Sequence, residues 1–274
     1  MSGFEIEVWG ARGSVAASHS DLMRAGCNTT CVSVRIDGHV IILDAGTGLV
    51  PLGHHIQQEQ VQNLSLFLTH YHYDHVQGLN FFTPFNTGST NVTIHAGTVH
   101  TPEPPEVVLD RLFDDPFCPN RLSCYPANIG FSSFTDRQEI ALPANATLTP
   151  YVLNHPSGAY GFRIQHRGRI FVFAPDFEIG DPAGDAALAD LLRDADLAFL
   201  DAMFTTQELE KRRGFGHSEW QQVAQHCDAA RVKSWQMFHH APNRSDDQLD
   251  TMEATLRETH PACGAAREGD RYAL

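Results

Sequence analysis

The sequence is poor in basic residues. Its 274 residues contain 19 lysines and arginines against 33 aspartates and glutamates, for a formal net charge of −14 at pH 7. Two of the basic residues are lysines, and the one basic cluster is Lys211-Arg212-Arg213. A protein that holds a long nucleic acid needs several phosphate contacts from such side chains. The composition argues against a large nucleic-acid substrate, whereas a small anionic substrate is compatible with bound divalent cations.

Long apolar runs are also absent. No stretch approaches the roughly 20 apolar residues that a membrane span requires, and residues 1–8 lack the basic and apolar regions of a signal peptide. We therefore expect a cytoplasmic protein without a membrane partner. The sequence leaves the oligomeric state open, a homodimer included.

Cysteine is scarce and scattered. The six cysteines are not accompanied by a signal peptide, which argues against disulfides. Cys27, Cys31, Cys118 and Cys124 could form a separate zinc site, but their spacing differs from the usual finger pattern. Buried free thiols are the favoured interpretation.

One segment, by contrast, is rich in potential metal ligands. His70, His72, Asp74 and His75 fall within six residues and follow the apolar run Leu64–Leu68, which is typical of a buried strand. Imidazole and carboxylate together suit zinc, manganese or iron. His70 and His72 would project to one side of an extended chain, and the other two would lie in the following turn. The pattern predicts a site for two metal ions at a strand end.

Chance histidine pairs are expected in a chain with 16 histidines. His54-His55 is interpreted as one such pair, on a helix surface. Three histidines and an aspartate directly after a buried strand are much harder to obtain by chance. Metal binding is therefore the favoured interpretation of the cluster.

The order of motifs along nearly the whole chain resembles that of the metallo-β-lactamase superfamily. The cluster resembles the signature motif of that family. Four more segments resemble its other motifs: Val40–Gly48 with Asp44, Leu153–Gly158 with His155, Ile170–Asp176, and Trp235–His240. The resemblance implies an α/β fold, a four-layer αβ/βα sandwich.

The resemblance also implies a site for two divalent ions, zinc or manganese, with iron as a further alternative. The implied ligands of the first ion are His70, His72 and His155, and those of the second ion are Asp74, His75 and His239. Asp176 is the implied bridging carboxylate. Asp44 would brace the metal loop. His239 fits the strand end better than His240, but the sequence does not decide between them, and His240 is then a candidate for substrate contact.

Two later segments resemble the tRNase Z and phosphodiesterase branch of the superfamily. Phe199–Phe204 places Asp201 where nuclease relatives have glutamate, and Gly214–Ser218 places His217 where relatives have a proton donor. The implied catalytic residues are His217, Asp201 and the ligand Asp74. Because aspartate is the shorter acid, the sequence leaves its reach to His217 open.

Further segments resemble a bacterial subgroup of this branch, similar to cyclic-phosphate phosphodiesterases. The segments that carry the likeness are Trp9–Ser14, Gly26–Cys31, Gly161–Arg163, His239–Pro242 and Ser245–Asp247, and the second offers Asn28 and Thr29 as candidate phosphate contacts. The chain departs from the pattern at Pro175, before the bridging aspartate. The resemblance implies a phosphodiesterase that acts on a small cyclic phosphate or nucleotide through a hydroxide held between the metal ions.

Two alternatives stay open. A lactonase or thioesterase would use the same metal ligands but would depend less on an acid such as His217, because its leaving groups are better. An inactive metal-binding regulatory protein is the alternative from another class, and the intact ligand set argues against it.

The remaining patterns predict one domain over residues 1–274, with two strand-rich halves that each end in helices. A Pro-rich insertion near 100–126 is interpreted as an element that shapes substrate access. Ser218 and Ser245 are predicted N-caps. Predicted strands are Phe4–Trp9, Cys31–Ile36, Val40–Leu43, Leu64–Leu68, Val92–His95, Thr147–Leu153, Tyr160–His166, Arg169–Phe173, Leu197–Leu200 and Lys233–Phe238; predicted helices are Leu49–Gln60, Ala183–Arg193, Ser218–Cys227 and Asp246–Thr259.

Overall fold

The computed structural model describes residues 3–116 and 118–274. Its strands form two mixed sheets. The first sheet has the order β14-β1-β2-β3-β4-β5-β6 and contains β1 (Phe4–Gly10), β2 (Cys31–Ile36), β3 (His39–Leu43), β4 (Asn63–Leu68), β5 (Asn91–Gly97), β6 (Asn128–Phe134) and β14 (Arg271–Ala273). The second has the order β13-β12-β11-β10-β9-β8-β7 and contains β7 (Ile140–Leu142), β8 (Ala146–Leu153), β9 (Ala159–His166), β10 (Arg169–Ala174), β11 (Leu197–Asp201), β12 (Trp235–Phe238) and β13 (Gly264–Ala265).

Helices connect the strands and cover the outer faces of both sheets. They are α1 (Leu49–Glu59), α2 (Tyr73–Val76), α3 (Pro105–Asp110), α4 (Pro182–Leu192), α5 (Thr206–Glu210), α6 (Trp220–Ala229) and α7 (Asp246–Arg257). Short 3-10 turns occur at Gln77–Phe81, Thr83–Asn86, Arg111–Phe113, Leu122–Cys124 and Pro143–Asn145. Within the described part of the chain, none of the helices has the length and apolarity needed to cross a membrane.

The core is divided by the sheets into three apolar layers. Between the sheets, alternate side chains of β1 meet those of β9 and β10, with Phe4, Phe162 and Phe171 fully buried. Helix α1 closes the outer face of the first sheet, and α4, α6 and α7 close that of the second. The αβ/βα sandwich of four layers is therefore confirmed.

Parallel pairing determines where the polar residues collect. β3, β4 and β5 run parallel in the first sheet, as do β10, β11 and β12 in the second. The carboxyl ends of parallel strands meet at one edge, where polar groups of open sheets gather. The residues at or just after these ends include Asp44, His70, Asp176, Asp201 and His239.

Part of the insertion near 100–126 packs on the core, and its role in substrate access stays a prediction. Leu109, Phe113 and Leu122 are buried against the outer face of the first sheet. One end adjoins the metal-ligand segment: His100 Nδ1–H donates to the Ser157 carbonyl at 2.7 Å, and its ring lies 6.1 Å from that of His70. Phe117 lies outside the described residues.

The predicted strands and long helices are all present, with boundaries shifted by a few residues, but one predicted cap is wrong. Glu219 caps α6, because its carboxylate accepts the amides of Gln221 and Gln222, while the Ser218 hydroxyl donates to the Phe177 carbonyl. Ser245 does cap α7: its hydroxyl accepts the amide of Gln248.

Ser245→Ala should lower the free energy of unfolding by about 1 kcal/mol, because it removes an N-cap hydrogen bond. Urea unfolding followed by circular dichroism measures the change. The exposed Ser20 makes no comparable contact, so Ser20→Ala should change stability by less than about 0.5 kcal/mol. Equal effects of the two substitutions would contradict the capping role.

Candidate metal centre

Three imidazoles from two loops converge at the edge where the sheets meet. His70 and His72 follow β4, and His155 follows β8 in the other sheet. His70 Nε2 lies 2.9 Å from His72 Nδ1, which lies 3.3 Å from His155 Nε2. Burial lowers the pKa of all three rings. Neutral rings present lone pairs to one point, which suits a divalent cation.

A second donor group lies beside the first. Asp74 and His75 project from the short helix α2, and His239 follows β12. Asp74 Oδ2 is 3.1 Å from His239 Nε2 and 3.3 Å from His75 Nε2. Burial would raise the pKa of Asp74, but the two neighbouring rings hold it well below its usual range. The carboxylate is thus ionised and positioned to bind a cation with the two imidazoles.

Asp176 lies between the two groups. Its Oδ2 is 3.1 Å from His75 Nε2, and its Oδ1 is 3.3 Å from His239 Nε2 and 4.0 Å from His155 Nε2. Both the Oδ2 atom and His75 Nε2 are buried without a hydrogen-bond partner. Such atoms are rare in proteins, and a bound cation would satisfy them. The donor set therefore fits two divalent ions with Asp176 between them.

Hydrogen bonds behind these residues fix the ring orientations. His75 Nδ1–H donates to Asp44 Oδ2 at 2.8 Å, and His70 Nδ1–H donates to the Thr69 hydroxyl at 3.0 Å. That hydroxyl and the Thr69 amide both donate to Asp44, which is fully buried. This arrangement leaves Nε2 of each ring free for a metal, as outer carboxylates commonly do in metal sites. Asp44 thus joins Thr69 and His75, and its role as a support of metal ligands stays a prediction.

Next to the donor groups lies an Asp–His pair. His217 Nδ1 is 2.7 Å from Asp201 Oδ2, and the ring stacks 4.9 Å from that of His239. Asp201 also accepts the amides of Met203 and Ser218. Burial by itself lowers the pKa of His217, but the Asp201 carboxylate outweighs it and raises the pKa to about 9. The shorter carboxylate therefore does reach the histidine.

The loop that carries His217 is held by a residue that the sequence patterns did not single out. The Glu178 carboxylate accepts the amides of Gly214 and Gly216 at 2.8–2.9 Å. The Gly216 carbonyl in turn accepts Nδ1–H of His155 at 2.8 Å. A Cβ on Gly216 would lie 2.3 Å from His155 Nδ1, so only glycine fits. Glu178 thus connects a ring of the first donor group to the His217 loop.

Comparison with known proteins places the chain in a family. The model of the β-lactamase superfamily domain matches residues 39–240, which include every residue of the two donor groups. The chain belongs to the β-lactamase superfamily. No curated protein matches its sequence.

Solved structures share the metallo-β-lactamase fold over nearly the full length of this superfamily member. YhfI from Bacillus subtilis is 16% identical, with a TM-score of 0.75 and 99% of each chain covered. A diphosphatase of the PhnP family is 20% identical, with a TM-score of 0.71 and coverage of 99% of this chain and 98% of the other. The short form of human tRNase Z is 16% identical, with a TM-score of 0.67 and coverage of 98% and 99%. At these identities the likeness establishes the fold.

Three predicted substrate contacts of this superfamily member are not supported. His240 is buried, and its Nε2–H donates to the Ala266 carbonyl at 2.8 Å. Thr29 is buried, and its hydroxyl accepts the Thr47 amide. The Asn28 side chain donates to Glu268. All three join loops to each other, and His239 is the histidine that enters the donor group. The alternative cysteine site is also unsupported: all six thiols are free, and among the described residues no metal-suited cluster includes one.

The loop at residues 10–14 has a role that its motif did not reveal. The Ser14 amide donates to Asp74 Oδ2 at 2.7 Å. The buried Arg12 guanidinium holds this loop by donating to the carbonyls of Gly26, Leu22 and Arg244. A backbone amide aimed at a carboxylate has no sequence signature, because any residue can supply it.

His239→Ala should remove about one of two bound divalent ions per chain, because it deletes one ligand of the second donor group. Metal analysis after desalting measures the content. His54, exposed on α1, provides the control, and His54→Ala should retain the wild-type content. Unchanged metal content in His239→Ala would refute the assignment of His239 as a ligand.

Glu178→Ala should weaken metal binding about tenfold, because it releases the Gly214 and Gly216 amides and so loosens the loop whose Gly216 carbonyl orients His155. A competition titration with a zinc chelator measures the affinity. Glu210, exposed at the end of α5, is the matched control, and its replacement by alanine should leave the affinity unchanged. If the two variants bound metal equally, Glu178 would have no positioning role.

Proposed function

We propose that this protein is a dinuclear metal-dependent phosphodiesterase that hydrolyses a small phosphodiester, such as a cyclic phosphate or a nucleotide. The observation that carries the proposal is the 2.7 Å contact of Asp201 with His217, directly beside the two donor groups. An acid in this place matters most for a leaving group of high proton affinity, such as the alkoxide of a phosphodiester. The names of two structural neighbours, a diphosphatase and a tRNase, support the same class of chemistry.

Each donor group would hold one metal ion. His70, His72 and His155 would hold one divalent ion; Asp74, His75 and His239 would hold the other; and Asp176 would contact both. Two divalent ions held there would neutralise phosphoryl oxygens and would activate a water molecule as the nucleophile. The donors suit zinc, manganese or iron.

His217 supplies the proton that the leaving oxygen needs. Because Nδ1–H is held by Asp201, the ring is oriented so that Nε2 is left to transfer a proton. Asp201 is itself fixed by two backbone amides, and its negative charge favours the protonated ring. An acid in this position is typically worth ~10²–10⁴-fold in rate.

Two exposed aromatic side chains border the centre and suit a substrate with a planar ring. Tyr73, between the ligands His72 and Asp74, is 71% exposed, and Phe215, two residues before His217, is 62% exposed. Aromatic side chains stack on the planar rings of nucleotides. The places of these two residues in the chain, beside His72 and Asp74 and close to His217, suit a nucleotide-like substrate.

His217→Ala should slow an unactivated diester such as a dinucleotide by about 10²–10⁴-fold, because no acid then meets the alkoxide. Bis(p-nitrophenyl) phosphate, whose leaving group needs no proton, should slow by less than about tenfold. Steady-state kinetics with metal analysis of the same samples tests both, and metal content should be retained. Equal slowing of the two substrates would show that His217 is not the acid.

A panel tests the substrate class. Wild-type protein loaded with zinc or manganese should hydrolyse bis(p-nitrophenyl) phosphate and nucleoside cyclic phosphates faster than an acyl-homoserine lactone or nitrocefin. Faster lactone hydrolysis would instead establish the lactonase alternative. Metal binding without any turnover would favour an inactive metal-binding protein.

A further inference from the structure

Three adjacent cationic side chains lack the carboxylate partners that most cations of the described residues have. Nearly every arginine and lysine of the described residues lies within 4 Å of a carboxylate, as Arg244 does of Glu208, Arg271 of Glu7 and Lys233 of Asp196. Arg163 instead donates to backbone carbonyls. Besides Arg163, the cations of the described residues that form no ion pair with a carboxylate are Lys211, Arg212 and Arg213. They are consecutive in the chain of a protein with a net charge of −14.

These cations, here called the basic triplet, lie close to the proposed acid. The Arg212 guanidinium is 5.3 Å from the centre of the Phe204 ring, and that ring lies 5.8 Å from the His217 ring. One aromatic side chain therefore separates the guanidinium from the histidine. The exposed Phe215 lies in the same turn, since its amide donates to the Arg212 carbonyl at 3.1 Å.

Lys211 and Arg212 of the basic triplet border a groove of about 450 Å³. Glu208 is the carboxylate on its lining, but its charge is balanced by Arg244, and it also accepts the Thr205 amide. The groove is lined by Thr205, Gln207, Glu208, Lys211, Arg212 and Phe215.

Hydrogen bonds hold the turn that follows the basic triplet close to the first donor group. Directly after the basic triplet, the Gly214 amide is bound by Glu178, which also binds Gly216 and so holds the turn against His155. Cations held at a fixed place lose less entropy when they bind an anion than cations on a free loop do. A guanidinium also matches the oxygens of a phosphate in geometry.

We propose that the basic triplet binds a second phosphate of the substrate, carried by the fragment that leaves towards His217. This inference rests on the proposed function. His217 protonates the leaving oxygen, so the leaving fragment passes over the loop of residues 211–217, where Phe215 offers a face for its planar ring. The preferred substrate class is therefore a diester whose leaving part is a nucleotide rather than a nucleoside.

Three dinucleotides test the inference: thymidylyl-thymidine alone, with a 5′-terminal phosphate, and with a 3′-terminal phosphate. Chromatography of the products identifies which nucleoside leaves. The wild type should show a kcat/KM about tenfold or more higher for the isomer whose leaving fragment is phosphorylated, mainly through a lower KM. The other isomer, of equal charge, should resemble the unphosphorylated compound. Equal values for the two isomers would overturn the inference.

Variants assign the effect to the basic triplet. Lys211→Gln combined with Arg212→Gln and Arg213→Gln should bring the ratio of the two isomers close to one. A control with the same charge change, Lys233→Gln with Arg121→Gln and Arg231→Gln, alters exposed cations that pair elsewhere and should keep the wild-type ratio. Raising salt from about 0.05 to 0.5 M should reduce the wild-type ratio, because exposed charges are screened. A ratio retained by the first variant would refute the proposal.

Binding separates this inference from the proposed function. Calorimetry should show that thymidine 3′,5′-bisphosphate binds the wild type about tenfold more tightly than it binds the variant of the basic triplet. If no diester were hydrolysed but this difference appeared, the proposed function would fail and the phosphate site would stand. If diesters were hydrolysed without any difference in binding or isomer ratio, the phosphate site alone would fail. Affinity that rose with each nucleotide added to an oligothymidylate would indicate a nucleic-acid track and overturn the small-substrate class.

Discussion

Four buried carboxylates, those of Asp44, Asp74, Asp176 and Asp201, surround one group of imidazole rings, and this concentration of charge constrains the whole site. Buried ionised groups are costly unless they are paired or hydrogen-bonded. Asp44 and Asp201 satisfy this condition with backbone amides, a hydroxyl and histidine rings. Asp176 retains a buried oxygen without a hydrogen bond, which divalent cations would complete.

The carboxylates therefore divide into two kinds. Asp44 and Asp201 lie outside the donor groups and orient histidines, whereas Asp74 and Asp176 point into the centre. An aspartate can thus orient a histidine or point into the centre itself, according to its position at a strand end or, for Asp74, on α2. Glu178 extends this support to the loop that ends in His217, so the proposed acid and the first donor group share one set of contacts.

Much of the site could be predicted from the chain because its histidines and aspartates follow apolar strands in a regular order. The predicted ligands all converge, and His217 meets Asp201. The predictions failed where a side chain turns into the interior, as with His240 and Thr29, whose neighbours come from distant segments. β6 and the short β7, β13 and β14 also went unpredicted. β6 lacks a continuous apolar run, the other three have only two or three residues, and all four depend on pairing with a neighbouring strand.

The sequence by itself determined the donor chemistry, because residue type sets metal preference, and the order of its motifs carried the family resemblance that implied the fold class. Only the tertiary structure decided that His239 rather than His240 enters the centre, and that Glu178 holds the loop of His217. It also showed that the cations at residues 211–213, close to His217, form no ion pair with a carboxylate. The physical reason is that orientation, burial and charge pairing depend on contacts between residues far apart in the chain, and no local pattern records them.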